Sequence, residues 1–101
     1  MAIVAEIIDG TNIMEIKPQG DFNYSSHSEF QKSFETGEAG VTKFVINMEE
    51  VNSMDSSALG MLLQLLDYAG GTKDSVKITN CNPTLLETLR ISNFYSLMDI
   101  E

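Results

Sequence analysis

Hydrophobic positions along the chain follow two rhythms. Ile3-Val4-Ala5-Glu6-Ile7-Ile8 is a short apolar run that stops at the turn dipeptide Asp9-Gly10. From Thr11 to Lys17, Ile13, Glu15 and Lys17 alternate with Asn12, Met14 and Ile16. That imperfect period of two suits a strand partly covered on both faces. The two runs predict an opening β-hairpin, ended by Pro18 and Gly20. From Ser25 or Ser26 to about Thr36 the period lengthens. His27, Phe30 and Phe34 fall at i, i+3 and i+7, and Ser26 with Glu29 has capping-box spacing, so a helix is predicted there. Gly37 and Gly40 predict its end.

Thr42-Lys43-Phe44-Val45-Ile46-Asn47-Met48 is the densest block of β-branched and aromatic residues. It predicts a central strand buried on both faces. Further on, Leu59, Leu62, Leu63 and Leu66 are spaced i, i+3, i+4 and i+7, with Met61, Leu65 and Ala69 widening the stripe. This predicts a helix from about Ser56, stopped by Gly70-Gly71, with those four leucines buried. Ser75 to Thr79 reads as another strand. Asn82 and Pro83 are an N-cap and first helical position, and Leu85, Leu86 and Leu89 supply that helix's inner face. Phe94 to Met98 is a last apolar segment, with room for a final short strand. The order β-β-α-β-α-β-α predicts one α/β domain over residues 1–101. Its sheet is mixed, with four to five strands and an opening hairpin, and three to four helices pack on it.

Charge narrows the function. Fifteen acidic residues against six basic ones give a net charge of −9. Nucleic-acid binding rests on neutralising phosphates, and an anionic membrane attracts basic segments, so neither partner is expected. A basic protein partner remains compatible. No apolar run approaches the ~20 residues needed to span a bilayer. The start, Met1 to Glu6, has no basic region of a secretory leader. The single Cys81 excludes an internal disulfide and suits a cytoplasmic location. With His27 the only histidine, no zinc site of several His and Cys ligands can form.

The informative segment is Asp55-Ser56-Ser57, where a strand and its loop hand over to a helix. Asp55 is a natural N-cap. Ser56 follows in the first turn, where free amides and the helix dipole favour an added anion such as a phosphate. At 100° per residue Ser56 shares an edge with Gly60 and Asp67, away from the leucines. On spacing alone, Ser56 and Ser57 read first as capping hydroxyls.

Phe44 to Gly60, ending Val51-Asn52-Ser53-Met54-Asp55-Ser56-Ser57-Ala58-Leu59-Gly60, resembles the signature of STAS domains, the family of bacterial anti-sigma factor antagonists. Ala58 stands where many members have Gly. The opening hairpin, Gly20-Asp21-Phe22 and Asn82-Pro83 extend the likeness over the chain. The resemblance implies a STAS fold in which Ser56 is phosphorylated by a partner serine kinase, or anti-sigma factor, and restored by a PP2C-type phosphatase. Where many members carry an Asp just before the first helix, this chain has Asn23, with Asp21 two residues earlier. The implied partner surface comprises Asn23, Tyr24 and His27 together with Ser53, Met54, Asp55, Ser57, Ala58 and Gly60.

Other constellations carry less. Cys81 lacks a C-x-x-C partner and reads as a half-buried thiol. His27 reads as a partly packed helix residue rather than a base. Glu49, Glu50 and Asp55 read as a solvated loop. Gly70-Gly71 and Asp9-Gly10 lack any phosphate-loop pattern. Met54 and Met61 flank the serine turn and suit either an adaptable surface or core gaps. No catalytic constellation, metal site or cofactor is expected. The expected function is a phosphorylation-switched regulator that binds a protein partner. The alternative is a STAS-like module that holds a nucleotide or anionic metabolite at the same helix start.

Overall fold

Ile8 and Ile13 close the opening hairpin, the Ile8 N–H donating to the Ile13 carbonyl at 2.9 Å, while Gly10 takes the left-handed conformation at φ +75°. A computed structural model of the protein describes residues 3–35 and 40–101. Its strands and helices are β1 (Ile3–Ile7), β2 (Ile13–Pro18), β3 (Gly20–Phe22), α1 (His27–Phe34), β4 (Lys43–Asn47), β5 (Val51–Met54), α2 (Ser56–Tyr68), β6 (Val76–Thr79), α3 (Pro83–Ile91) and β7 (Asp99–Ile100). The main sheet runs β1-β2-β4-β6-β7, antiparallel between β1 and β2 and parallel elsewhere. Strand β4 is central, as its composition predicts.

Register and burial together show how the layers form. Met14, Phe44 and Val76 lie side by side, as do Ile16, Ile46 and Ile78, and all six are buried. The alternate positions Glu15, Val45 and Lys77 form the opposite face and are only half-buried. The helices therefore cover one face of the sheet. The expectation that β4 is buried on both faces is corrected: Val45 and Asn47 lie on the open side. Their β-rich composition reflects strand propensity, which does not require a second covering layer.

An aromatic chain docks α1. Phe22 meets Phe30 at 5.1 Å between ring centroids, Phe30 meets Phe34 at 5.5 Å, and Phe34 meets Tyr68 of α2 at 5.1 Å. The predicted Ser26–Glu29 capping box does not form, for Ser26 makes no side-chain cap bond. A 3₁₀ turn, Tyr24–Ser26, leads into α1 instead, and Asn23 caps that turn. The helix ends at Phe34, short of the expected Thr36. Thr36 and Gly37 lie outside the described residues.

Two elements escape the periodicity. Strands β3 and β5 pair with each other in parallel as a separate two-stranded sheet. Each is too short to show a period. Helix α2 also lies differently from the leucine pattern. Its core residues are Ala58, Met61, Leu62, Leu65 and Leu66, with Leu59 at the margin. Leu63 is 42% exposed, contrary to expectation. The buried arc is rotated by roughly a quarter-turn from the leucine stripe. Met61 is thus core filler.

Truncating Leu62 or Leu65 to Ala should cost about 2–5 kcal/mol in urea unfolding. Leu63→Ala should cost less than about 1 kcal/mol, as at other exposed positions. Equal losses at Leu62 and Leu63 would contradict this helix orientation.

Candidate functional site

The pairing of β3 with β5 brings two helix starts together. Both strands end at the same side, and the Asp55 N–H donates to the Phe22 carbonyl at 3.4 Å. The turn into α1 and the first turn of α2 thereby become neighbours at the carboxyl ends of parallel strands, a usual location for functional sites in α/β proteins.

Asp55 caps α2. Its backbone is extended, and its Oδ1 accepts from the Ala58 N–H at 3.0 Å and from the Ser57 Oγ at 2.6 Å. The Ser57 hydroxyl, followed by the Ala58 N–H, holds the Asp55 carboxyl below its ordinary value of 3.8. The neighbouring serines therefore differ. Ser57 is half-buried and tied to Asp55, whereas Ser56 is exposed at the first helical position with no side-chain hydrogen bond among the described residues.

Asn23 follows the end of β3 and caps the turn into α1. Its Oδ1 accepts from the Ser25 N–H at 3.0 Å and the Ser25 Oγ at 2.5 Å. Asp21 accepts from the Ser53 Oγ at 2.8 Å, so it belongs to the β3–β5 seam. Tyr24 is 70% exposed and stacks on His27, with ring centroids 5.3 Å apart. His27 Nε2 lies 3.2 Å from Gln64 Oε1, linking α1 to α2. Tyr24, His27, Ser57, Gly60, Met61 and Gln64 line an open depression of about 250 Å³ with no Lys or Arg in its wall.

Of the residues singled out in the sequence, Tyr24, His27, Ser57 and Gly60 line one depression, and Asn23, Ser53, Asp55 and Ser56 are exposed or half-exposed. Ala58 does not: its side chain is fully buried, and only its N–H serves the turn, as a donor to Asp55. Met54 is partly buried against the core. Gln64, which lines the depression, was missed. A lone Gln carries no periodic signal that could have singled it out.

Other candidates fall away on their surroundings. Burial pushes the Cys81 thiol up to about 11, so little thiolate exists at neutral pH. Glu50 is engaged by Lys17 at 3.7 Å and by the Gln19 amide at 3.0 Å. Among the described residues, no three His, Cys, Asp or Glu side chains gather as a metal site. Among them, too, no helix is long and apolar enough to cross a membrane.

Comparison with known proteins agrees with this geometry. The STAS domain pattern matches residues 2–101. A STAS-domain-containing protein of Pseudomonas aeruginosa strain UCBPP-PA14 is 36% identical over 100 residues, covering 99% of each chain. The chain belongs to the STAS domain family. Among solved structures, the anti-sigma factor antagonist SpoIIAA in its unphosphorylated form superposes with a TM-score of 0.75 at 18% identity, covering 99% of this chain and 87% of that one. The phosphorylated form of the Bacillus SpoIIAA superposes with a TM-score of 0.66 at 19% identity, over 99% and 91% of the two chains. The fold is thus of the anti-sigma factor antagonist type.

Because the Asp55 pKa is lowered on folding, the contribution of its ionised form is present above the unfolded value and lost as pH falls through the folded one. Asp55→Asn keeps an acceptor but not the charge. It should be less stable than wild type at pH 7, with the gap closing below the ordinary value of 3.8. A gap that is constant from pH 7 to pH 2 in thermal unfolding would show that the charge adds nothing. Cys81 should react with a disulfide reagent at pH 7.5 at least tenfold faster in urea than in native protein. Equal rates would mean that the thiol is not shielded.

Proposed function

We propose that this protein is a partner-switching regulator of the anti-sigma factor antagonist type, toggled by phosphorylation of Ser56. The observation that carries the reading is the contrast at the α2 start: Ser56 is exposed and unengaged, while Ser57 is held by Asp55. The shared fold with SpoIIAA, solved in unphosphorylated and phosphorylated forms, supports it.

In the forward step a partner serine kinase brings ATP. The Ser56 oxygen attacks the γ-phosphorus, the bond to ADP breaks, and the hydroxyl proton leaves to a base or to solvent. In the reverse step a PP2C-type phosphatase directs water to the phosphorus, releasing phosphate and restoring the hydroxyl. Phosphorylation adds about two negative charges at the first helical position. The free amides of that turn accommodate them, so no refolding is needed. No Lys or Arg lines the depression next to the α2 start, so no counter-ion there offsets the added charge. A partner that covers Ser56 must desolvate a dianion, and partner carboxylates are repelled. Loss of one such anchor costs ≥2 kcal/mol at about thirtyfold in affinity. The partner implied by this reading is a cytoplasmic serine kinase or anti-sigma protein, and the net charge of −9 is compatible with a basic surface on it.

With a cognate kinase and labelled ATP, wild type and Ser57→Ala should be labelled and Ser56→Ala should not. Calorimetric titration of the partner should give tenfold or weaker binding to the phosphorylated form, while Ser56→Ala binds like unmodified wild type. Labelling of Ser56→Ala at the wild-type level, or equal partner affinity for all forms, would leave Ser56 as a helix-start residue only.

A further inference from the structure

Strand β1 forms one edge of the main sheet, and among the described residues β2 is its only strand partner. The phase of that pairing shows which backbone groups are used. The Ile8 N–H donates to the Ile13 carbonyl, so by the alternation of an antiparallel ladder the polar groups of Val4 and Glu6 also turn to β2. Those of Ile3, Ala5 and Ile7 turn outwards, a row of N–H and C=O groups with no strand beside it. Pro18, which has no N–H to give, stands opposite Ile3 on one of the unbonded rungs.

Two features set this edge apart. Sheet edges are generally blunted by brevity, Lys, Pro or a bulge. The opposite edge follows that rule, for β7 is two residues long. Strand β1 runs five residues with none of these devices, and its register with β2 is unbroken. Exposed aliphatic side chains follow it, Val4 at 49% and Ile8 at 40% exposure. Glu6, Ile7, Ile8 and Asp9 line an open depression of about 330 Å³ along the same stretch.

Charge specifies the occupant. Glu6 stands directly opposite Glu15 on the open face, a like-charge pair that weakens a sheet, and neither makes an ion pair among the described residues. Lys17, opposite Val4, is the Lys or Arg nearest in the ladder, and it reaches Glu50 instead. Lys43 of β4 neighbours Glu15 diagonally, but it lies two strand spacings from β1. That is about 10 Å, beyond a Debye length of about 8 Å at physiological salt. Lys77 on β6 and Lys73 in the turn before it lie a further spacing away. Lys32 is on α1, across the sheet from Glu6, and Arg90 is paired with Glu87 on α3. A second copy of this chain offers no cation, because β1 holds none, and it adds its own charge of −9. A strand carrying Lys or Arg opposite Glu6 relieves the repulsion.

We propose that the outer edge of β1 takes an added antiparallel strand from a partner protein, with aliphatic side chains beside Val4 and Ile8 and a Lys or Arg beside Glu6. Main-chain hydrogen bonds to Ile3, Ala5 and Ile7 supply the affinity, and the contact with Glu6 supplies selectivity. This goes beyond the switch reading and does not depend on it. Glu6 to Asp9 run towards the hairpin turn, away from the carboxyl ends of the parallel strands where Ser56 lies.

The test titrates isotope-labelled full chain with a synthetic seven-residue peptide that has a central lysine, valines two residues to either side and threonines elsewhere. At about 150 mM salt, where surface charges are screened beyond about 8 Å, the amides of Ile3, Ala5 and Ile7 should shift. Their hydrogen exchange should slow at least tenfold at saturation, while that of Val4 and Glu6, already bonded to β2, changes less than twofold. N-methylation of the two threonines next to the lysine, whose N–H groups face β1, should weaken binding at least tenfold. N-methylation of the lysine and valines, whose N–H groups face away, should change it less than twofold. Replacing the peptide lysine by glutamate should weaken binding at least fivefold, and Glu6→Lys in the protein should reverse that preference. Asp67→Lys on α2 makes the same change in net charge and should alter affinity less than twofold. Equal binding of the two methylated peptides would exclude strand pairing, and equal weakening by Glu6→Lys and Asp67→Lys would reduce the effect to net-charge attraction. A dimer of the peptide-free chain that protects the same three amides would make a second copy the occupant. Each of these results overturns the proposal. Ser56→Ala should bind the peptide like wild type, so the outcome at this edge and the outcome of Ser56 labelling are read separately.

Discussion

The parallel pairing of β3 with β5 is the constraint on which the site depends. Only three and four residues long, these strands bury little by themselves. Their value is positional: they hold the turn into α1 against the cap of α2, with the Phe22 carbonyl accepting the Asp55 N–H. Phe22, fully buried with its ring tilted against that of Phe30, anchors the shorter strand in the core. The Ser53–Asp21 hydrogen bond ties the same seam on its exposed side. If this pairing were lost, Asn23 and Ser56 would belong to separate loops and no shared surface would exist.

A second consequence of the architecture is the separation of charge. Covering one sheet face with helices leaves the other open, and Lys17, Lys43 and Lys77 lie on that open face among acidic neighbours. Its ion pairs, Lys17–Glu50 at 3.7 Å and Lys77–Glu101 at 2.9 Å, reach solvent and are screened by it, so they do little to hold the fold. The depression lined by Tyr24, His27, Ser57 and Gly60 has no cation in its wall. Such a surface does not quench an added phosphate internally, and its charge acts outwards on whatever docks there. A switch of this kind requires no bistable fold, because the change in charge is itself the signal.

Asp55 illustrates how one residue both caps a helix and sets two neighbouring hydroxyls apart. Its carboxylate satisfies a free amide of the first helical turn and restrains the Ser57 hydroxyl. The same two bonds leave the adjacent Ser56 as the unengaged hydroxyl. Gly60 illustrates the opposite case, a residue that weakens its helix although a Cβ there would meet nothing within 4 Å among the described residues.

Local chemistry was legible in the sequence wherever a feature is complete within a few residues. The Asp9-Gly10 turn, the Asp55 and Asn82 caps, Pro83 at a helix start and the dense β4 block all act through neighbours in the chain, and all appear where the pattern places them. The motif around Ser56 was legible for the same reason. What tertiary structure alone decided depends on residues distant in sequence. Strands β3 and β5 exist because they pair with each other across some thirty residues, and neither is long enough to announce itself. The leucine stripe of α2 could not say which side would face the sheet. Met61 and Leu65 won burial over Leu63 because the helix is oriented by the sheet and by α1, through contacts such as Phe34 with Tyr68. Ala58 likewise moved from the motif's surface to the core. Periodicity measures the spacing of apolar side chains, whereas the direction they face is settled only by the surfaces that meet them.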